Sequence, residues 1–73
     1  DMLSTDLSRA ITLLRKKSLY PADIREAQEL AVANGKTVND IQVALYYAGK
    51  GDMNNAKKAA GMAADVLAKM VNI

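Results

Sequence analysis

Three breaks in the sequence constrain the fold most, because they divide the chain into four segments that each show helical periodicity. Pro21 favours a helix start, since at the first helical position its missing N–H costs nothing and its φ is already suitable. Asn34-Gly35 and Gly49 favour helix ends, because glycine readily adopts the left-handed conformation that closes many helices. We therefore predict four short helices at roughly 5–17, 21–34, 38–48 and 53–71.

Apolar residues in the first two segments recur at spacings of three and four, which places them on one face of a helix. In the first segment they are Leu3, Leu7, Ala10, Ile11 and Leu14. In the second they are Ile24, Ala27, Leu30 and Ala31. Each of these two helices is therefore expected to bury one apolar stripe.

Polar residues before three of the segments predict helix caps. Ser4 or Thr5 is expected to accept the first unpaired N–H groups of the first helix. Thr37 followed by Asp40 resembles a capping box before the third helix, and Asp52 is expected to cap the fourth.

No segment alternates apolar and polar residues over a strand length, so we predict an all-α single domain over 1–73. The helices would form a compact orthogonal or up-down bundle. The composition is 51% apolar but only 4% aromatic, and much of the apolar fraction is alanine. Since alanine buries little area, we expect modest stability or support from an oligomer or partner. The start at Asp1-Met2 leaves open whether the chain is a fragment of a longer protein.

The third helix has apolar residues on two sides. On a helical wheel one side collects Ile41, Ala44, Leu45 and Ala48, and the other Val43, Tyr46 and Tyr47. Two interpretations follow: both sides are core in a very small bundle, or the second side is a surface for a partner. Tyrosine is enriched at interfaces, so Val43, Tyr46 and Tyr47 are the candidate binding patch, with Tyr20 as a candidate neighbour.

The fourth helix carries small residues at spacings of three and four, a pattern that lets another helix approach closely. Its stripe consists of Ala56, Ala59, Ala60, Ala63, Leu67 and Met70. Gly61 lies in the middle of this helix, where it costs about 1 kcal/mol relative to alanine. We expect close backbone contact at Gly61 to explain its presence.

The segment from the third helix into the fourth resembles two known families. The positions Ala44, Tyr47, Gly51-Asp52, Ala56, Ala60 and Ala63 resemble a tetratricopeptide hairpin, although Asp40 stands where that family has a large aromatic residue. Ala44-Leu45, Ala48-Gly49, Gly51-Asp52 and Ala56 are similar to a ubiquitin-associated domain without its Met-Gly-aromatic loop. Because two unrelated families fit equally, neither is identified; both resemblances imply protein binding.

The residue content argues against catalysis. The chain has no histidine and no cysteine, so the usual base near neutral pH and a thiolate nucleophile or metal ligand are lacking. Glu26 and Glu29 could share a metal, but paired glutamates on a charged helix face are usually solvated. Gly49-Lys50-Gly51-Asp52 lacks the strand and spacing of a phosphate-binding loop. We expect no enzymatic activity, cofactor, metal site or small-molecule substrate.

Basic and amide side chains suggest an alternative function in DNA binding. They are Arg15, Lys16, Lys17, Asn54, Asn55, Lys57 and Lys58. The amides near the start of the fourth helix could read base edges as in a helix-turn-helix. However, aligning Ala44 and Ala48 with that motif puts Asn54 where it needs an apolar residue, and the net charge is only +2.

The sequence thus favours a small non-enzymatic module for protein interaction or regulation, with another protein or a second copy as partner. A small DNA-binding regulatory protein is the alternative. No apolar run approaches the roughly 20 residues of a membrane span, so no membrane partner is expected. The location is undetermined, with the cytoplasm favoured.

Overall fold

A computed structural model describes the backbone of residues 2–71 and the side chains of residues 5–71. Within this range the chain forms four α-helices and no strand. They are α1 (Met2–Leu14), α2 (Pro21–Ala33), α3 (Asn39–Gly49) and α4 (Met53–Val71). The predicted all-α class and the four helices are confirmed.

α1 begins and ends three residues earlier than predicted. The Arg15 N–H still donates to the Ile11 carbonyl at 3.0 Å, but the Lys16 N–H donates to the Leu13 carbonyl at 3.3 Å, which tightens the last turn. The connection then buries Leu19, which is 7% exposed. This buried anchor accounts for the early end, because the chain must leave the helix axis to reach the core.

The predicted cap of α1 is wrong, because Ser4 and Thr5 both lie inside the helix rather than at its start. The side chains of Leu3 and Ser4 lie outside the described residues. The remaining predicted stripe of α1 packs as expected, with Leu7, Ala10 and Leu14 buried.

α2 begins and ends within one residue of its predicted bounds, at a proline that favours a helix start and beside a glycine that favours a helix end. Pro21 occupies the first turn, and the Tyr20 N–H donates to Asp23 Oδ2 at 2.9 Å. At the other end Gly35 has a φ of +73°, and the Lys36 N–H donates to the Ala31 carbonyl at 2.9 Å. This left-handed closure satisfies carbonyls that the helix leaves unpaired.

α3 differs from the prediction at both ends. Its N-cap is Val38, which makes no side-chain cap hydrogen bond, so the capping box predicted at Thr37 and Asp40 is wrong. Val38 is 6% exposed, so core burial fixes the entry of the chain here. At the C-terminus Gly49 remains helical, and Gly51, with a φ of +80°, takes the left-handed position.

Asp52 caps α4 as predicted. The Asn55 N–H donates to Asp52 Oδ1 at 3.2 Å, and the Asn55 side-chain amide donates to Asp52 Oδ2 at 2.7 Å. The same residue also closes α3, since its N–H donates to the Tyr47 carbonyl at 2.9 Å. One turn therefore ends α3 and starts α4.

The helices close into a ring around an alanine-rich core. Each helix packs against its neighbours in sequence, and α1 also packs against α4. Among residues 5–71 the largest fully buried side chains are Leu7, Ile24, Ile41 and Leu67, and ten of the seventeen buried hydrophobic residues are alanines. The Cα trace spans 35 × 18 × 18 Å, so the bundle is narrow.

The small-residue stripe of α4 is buried, but the expectation for Gly61 is wrong. Ala56, Ala59, Ala60 and Ala63 are at most 4% exposed. A Cβ atom placed on Gly61 would meet no atom within 4 Å. Gly61 lies beside the buried stripe, not within it, so no close approach explains it.

Candidate functional site

The two sides of α3 have different surroundings. Ile41, Ala44 and Ala48 are buried and face the core. Val43 and Tyr47 are partly buried and pack at the edge of the core, whereas Tyr46 is 58% exposed. We call Val43, Tyr46 and Tyr47 the tyrosine patch; it occupies the outer side of α3.

The two aromatic rings of the tyrosine patch contact each other. The ring centroids of Tyr46 and Tyr47 are 5.4 Å apart, and the rings are inclined at 70°, which is an edge-to-face arrangement. Such pairs contribute about 0.5–1.5 kcal/mol beyond the area they bury. Because Tyr47 is packed against the core, this contact gives the exposed Tyr46 ring a defined orientation.

Lys50 completes this arrangement. Its Nζ atom lies 4.7 Å from the centroid of the Tyr46 ring, within the range of a cation–π contact. At an exposed position such a contact is worth about 0.5–1 kcal/mol. Sequence reasoning missed Lys50, although its position four residues after Tyr46 is the spacing at which helical side chains meet.

Tyr20, the predicted neighbour of the patch, lies on a different helix. It is the N-cap residue of α2, and its side chain is 63% exposed. Two further exposed apolar side chains were not predicted, Val32 at 59% and Met62 at 52%. Both lie outside the buried stripes of their helices. An apolar residue outside such a stripe is the sequence signal that could have identified them.

The two basic clusters proposed for DNA binding lie next to each other. Lys57 Nζ donates to the Lys17 carbonyl at 2.9 Å, which joins the start of α4 to the connection between α1 and α2. However, Arg15 pairs with Asp65 at 2.9 Å, and Lys16 pairs with Asp23 at 3.1 Å. These ion pairs offset part of the positive charge of the region.

The amides proposed to read bases also differ from each other. Asn54 is exposed, but the side chain of Asn55 is held by the Asp52 carboxylate. The Asn55 side-chain amide and N–H together lower the pKa of Asp52 below its usual value. Lys58 adds a smaller favourable charge interaction with Asp52. Asn55 is therefore engaged in capping α4.

Asp23 has a similar role at the start of α2. The hydrogen bond from the Tyr20 N–H lowers the pKa of Asp23, which partial burial opposes and Lys16 assists. A lowered pKa means that the carboxylate form is favoured by the fold. Asp23 and Asp52 are thus ionised capping residues of α2 and α4.

Within residues 5–71 no group of three or more acidic side chains is arranged to hold a metal ion. The described part of the chain contains no pocket. None of its helices combines the length and apolar character needed to cross a bilayer.

Comparison of the chain with known protein families, curated proteins and solved structures finds no match. The two family resemblances in the α3–α4 segment therefore add nothing to the structural argument.

Proposed function

We propose that this chain is a small non-enzymatic interaction module that binds another protein, or a second copy of itself, through the tyrosine patch. The observation that carries the proposal is the exposed Tyr46 ring, held edge-on by Tyr47 and covered on one face by Lys50. An ordered aromatic side chain on a helix surface loses little conformational entropy when a partner covers it.

Binding gains free energy by burying the part of the tyrosine patch that is still exposed to water. A tyrosine offers about 150–250 Å² to a partner, and the Tyr46 side chain leaves more than half of its surface in water. Val43 and Tyr47 extend the apolar area beside it. Truncating a central tyrosine at an interface commonly costs about 2 kcal/mol or more in binding.

The positive charge of Lys50 beside the tyrosine patch steers and orients an approaching partner. Lys50 is exposed at the C-terminal end of α3, so it favours partners with an acidic group next to their apolar contact. Such a charge mainly changes the association rate and its dependence on salt.

The experiment compares two truncations of exposed apolar residues. Tyr46→Ala removes the centre of the patch, and Val32→Ala, at a comparably exposed position on α2, serves as the matched control. Helix content is followed by far-UV circular dichroism. Association is followed by sedimentation velocity over a concentration series and by quantitative capture of proteins on the immobilised chain.

We expect Tyr46→Ala to keep the helical signal and to lose association, while Val32→Ala behaves like the wild type. If Tyr46→Ala unfolds the chain, Tyr46 is a core residue and the patch is not a docking surface. If both variants associate like the wild type, binding does not depend on the patch and the proposal fails.

A second candidate function, DNA binding in a regulatory role, is favoured by one observation. The Lys57–Lys17 hydrogen bond places both basic clusters on one surface. Binding to random duplex at low salt, falling steeply as salt rises and weakened in Lys17→Ala and Lys58→Ala, would support it. Retention that is unchanged in these variants would argue against it.

A further inference from the structure

Four residues on the outer side of α3 form a stripe with opposite charges at its ends. Asp40, Val43, Tyr47 and Lys50 follow each other at spacings of three, four and three. At about 100° per residue they fall within an arc of about 80° on the helix. An acid, two apolar residues and a base thus run along one line of the surface, which we call the α3 stripe.

The charges at the ends of the α3 stripe are available to a partner. Within residues 5–71 neither Asp40 nor Lys50 forms an ion pair. The Lys50 Nζ atom lies over the face of the Tyr46 ring. No carboxylate among residues 5–71 pairs with its charge.

We propose that the partner of this surface is a second copy of the chain, bound with the two α3 helices antiparallel about a two-fold axis that crosses the α3 stripe at the level of Leu45. This inference rests on the proposed function and names its partner. In such a pair, residues equally far before and after Leu45 face each other. Val43, two positions before, meets the partner's Tyr47, and Asp40, five positions before, meets the partner's Lys50.

The symmetry makes each contact occur twice. Two Asp40–Lys50 pairs flank two Val43–Tyr47 contacts. A parallel arrangement would instead place Asp40 against the partner's Asp40 and Lys50 against the partner's Lys50. Because like charges repel, the charge order along the stripe selects the antiparallel arrangement, which closes as a dimer.

The small size of α3 limits the strength of this dimer. Its 11 residues span about 16 Å, so one face buries less than the roughly 800 Å² per partner of a stable interface. We therefore expect a weak dimer, with a dissociation constant on the order of 0.1–1 mM. Sedimentation equilibrium and NMR line widths at millimolar concentration measure association in this range.

A charge exchange tests whether the ends of the α3 stripe meet in the dimer, and the two variants measured alone test the antiparallel order. Asp40→Lys gives a chain with two positive stripe ends, and Lys50→Asp gives one with two negative ends. Each variant alone replaces two attractive pairs by two repulsive ones, so we expect its self-association to weaken about 10-fold. Mixed together the two variants regain both opposite-charge pairs, so the mixture should associate about as well as the wild type.

Glu29→Lys is the matched control for Asp40→Lys. Glu29 is exposed on α2, and its substitution raises the net charge by the same amount as Asp40→Lys. It should associate like the wild type at 0.15 M salt. Circular dichroism checks each variant, since both stripe substitutions also place an unfavourable charge at an end of α3. The mixing result is independent of that effect, because each chain is compared alone and mixed at equal total concentration.

Two outcomes would overturn the inference while leaving the proposed function in place. One is a wild type that stays monomeric at millimolar concentration but captures another protein through Tyr46. The other is a dimer that neither charge change weakens, or one whose association is not restored when the two variants are mixed. If the wild type neither dimerises nor captures a protein through Tyr46, both proposals fail.

Discussion

Gly61→Ala is the sharpest test of how α4 is packed. Gly61 lies in the interior of a 19-residue helix, and its φ is not in the left-handed region. A Cβ atom added there meets no atom within 4 Å, so the alanine side chain needs no rearrangement. The substitution therefore changes helix propensity and little else.

The expected gain follows from that propensity. Glycine in a helix interior is about 1 kcal/mol less favourable than alanine, because it loses more backbone entropy on folding. For a chain of 73 residues, 1 kcal/mol corresponds to a rise in Tm of about 4–8 °C. The gain should be visible against the small total stability of such a chain.

The assay is thermal and urea unfolding followed by circular dichroism at 222 nm. Gly51→Ala serves as the contrasting control, since Gly51 also has no atom near its Cβ position but has a φ of +80°. There alanine must adopt the left-handed conformation, which costs about 1–2 kcal/mol. The two substitutions, identical in chemistry, should therefore move Tm in opposite directions.

A loss of stability in Gly61→Ala would refute this account of α4. It would mean that something contacts the helix at Gly61, as the sequence pattern had suggested. Repeating the measurement over a range of protein concentrations would show whether that contact comes from a second copy, because only then would the loss depend on concentration.

Two further predictions concern the core and the pH dependence of stability. Leu67→Ala removes one of the largest fully buried side chains and should lower the free energy of unfolding by about 2–5 kcal/mol. That loss is enough to unfold much of the population, as a urea titration would measure. A loss below about 1 kcal/mol would show that this part of the core is loosely packed. The pKa values of Asp23 and Asp52 are lower in the folded chain than the usual value near 3.9. Their stabilisation is therefore fully present above about pH 4 and is lost as the pH falls through the folded pKa values. Asp52→Asn keeps a capping side chain that does not titrate. The free energy of unfolding of this variant should therefore fall less than that of the wild type between pH 5 and about pH 2. An equal fall in both proteins would show that Asp52 does not contribute to the pH dependence of stability.

Sequence reasoning succeeded where local backbone chemistry decides the structure. Pro21, Gly35 and Asp52 each act within one turn of the chain, and the helices begin or end beside them as predicted. It failed where a distant contact decides. The burial of Leu19 accounts for the early end of α1, and the burial of Val38, in place of the predicted Thr37 cap, fixes the entry into α3 one residue after its predicted start. Neither burial is visible in local spacing.

The candidate site shows the same division. Helical periodicity placed Val43, Tyr46 and Tyr47 on the side of α3 opposite Ile41; in the structure Tyr46 is exposed, whereas Val43 and Tyr47 pack at the edge of the core. Periodicity alone could not determine whether other helices cover that side. The amount of covering depends on how many helices surround α3, which is a property of the whole bundle.

The alanine-rich core explains why Tyr46, on the outer side of α3, is left exposed to solvent. Helices that meet through small side chains approach closely, so the interior stays thin and the Cα trace is only 18 Å across. In a ring of four helices each member packs mainly against two others, and none is central; for α3 these are α2 and α4. Tyr46 therefore has no helix of the described chain to bury it, whereas Val43 and Tyr47 are partly buried at the edge of the core. Within its own chain the Tyr46 ring is held by Tyr47 and Lys50, and burial of the rest of the ring is what the proposed partner adds.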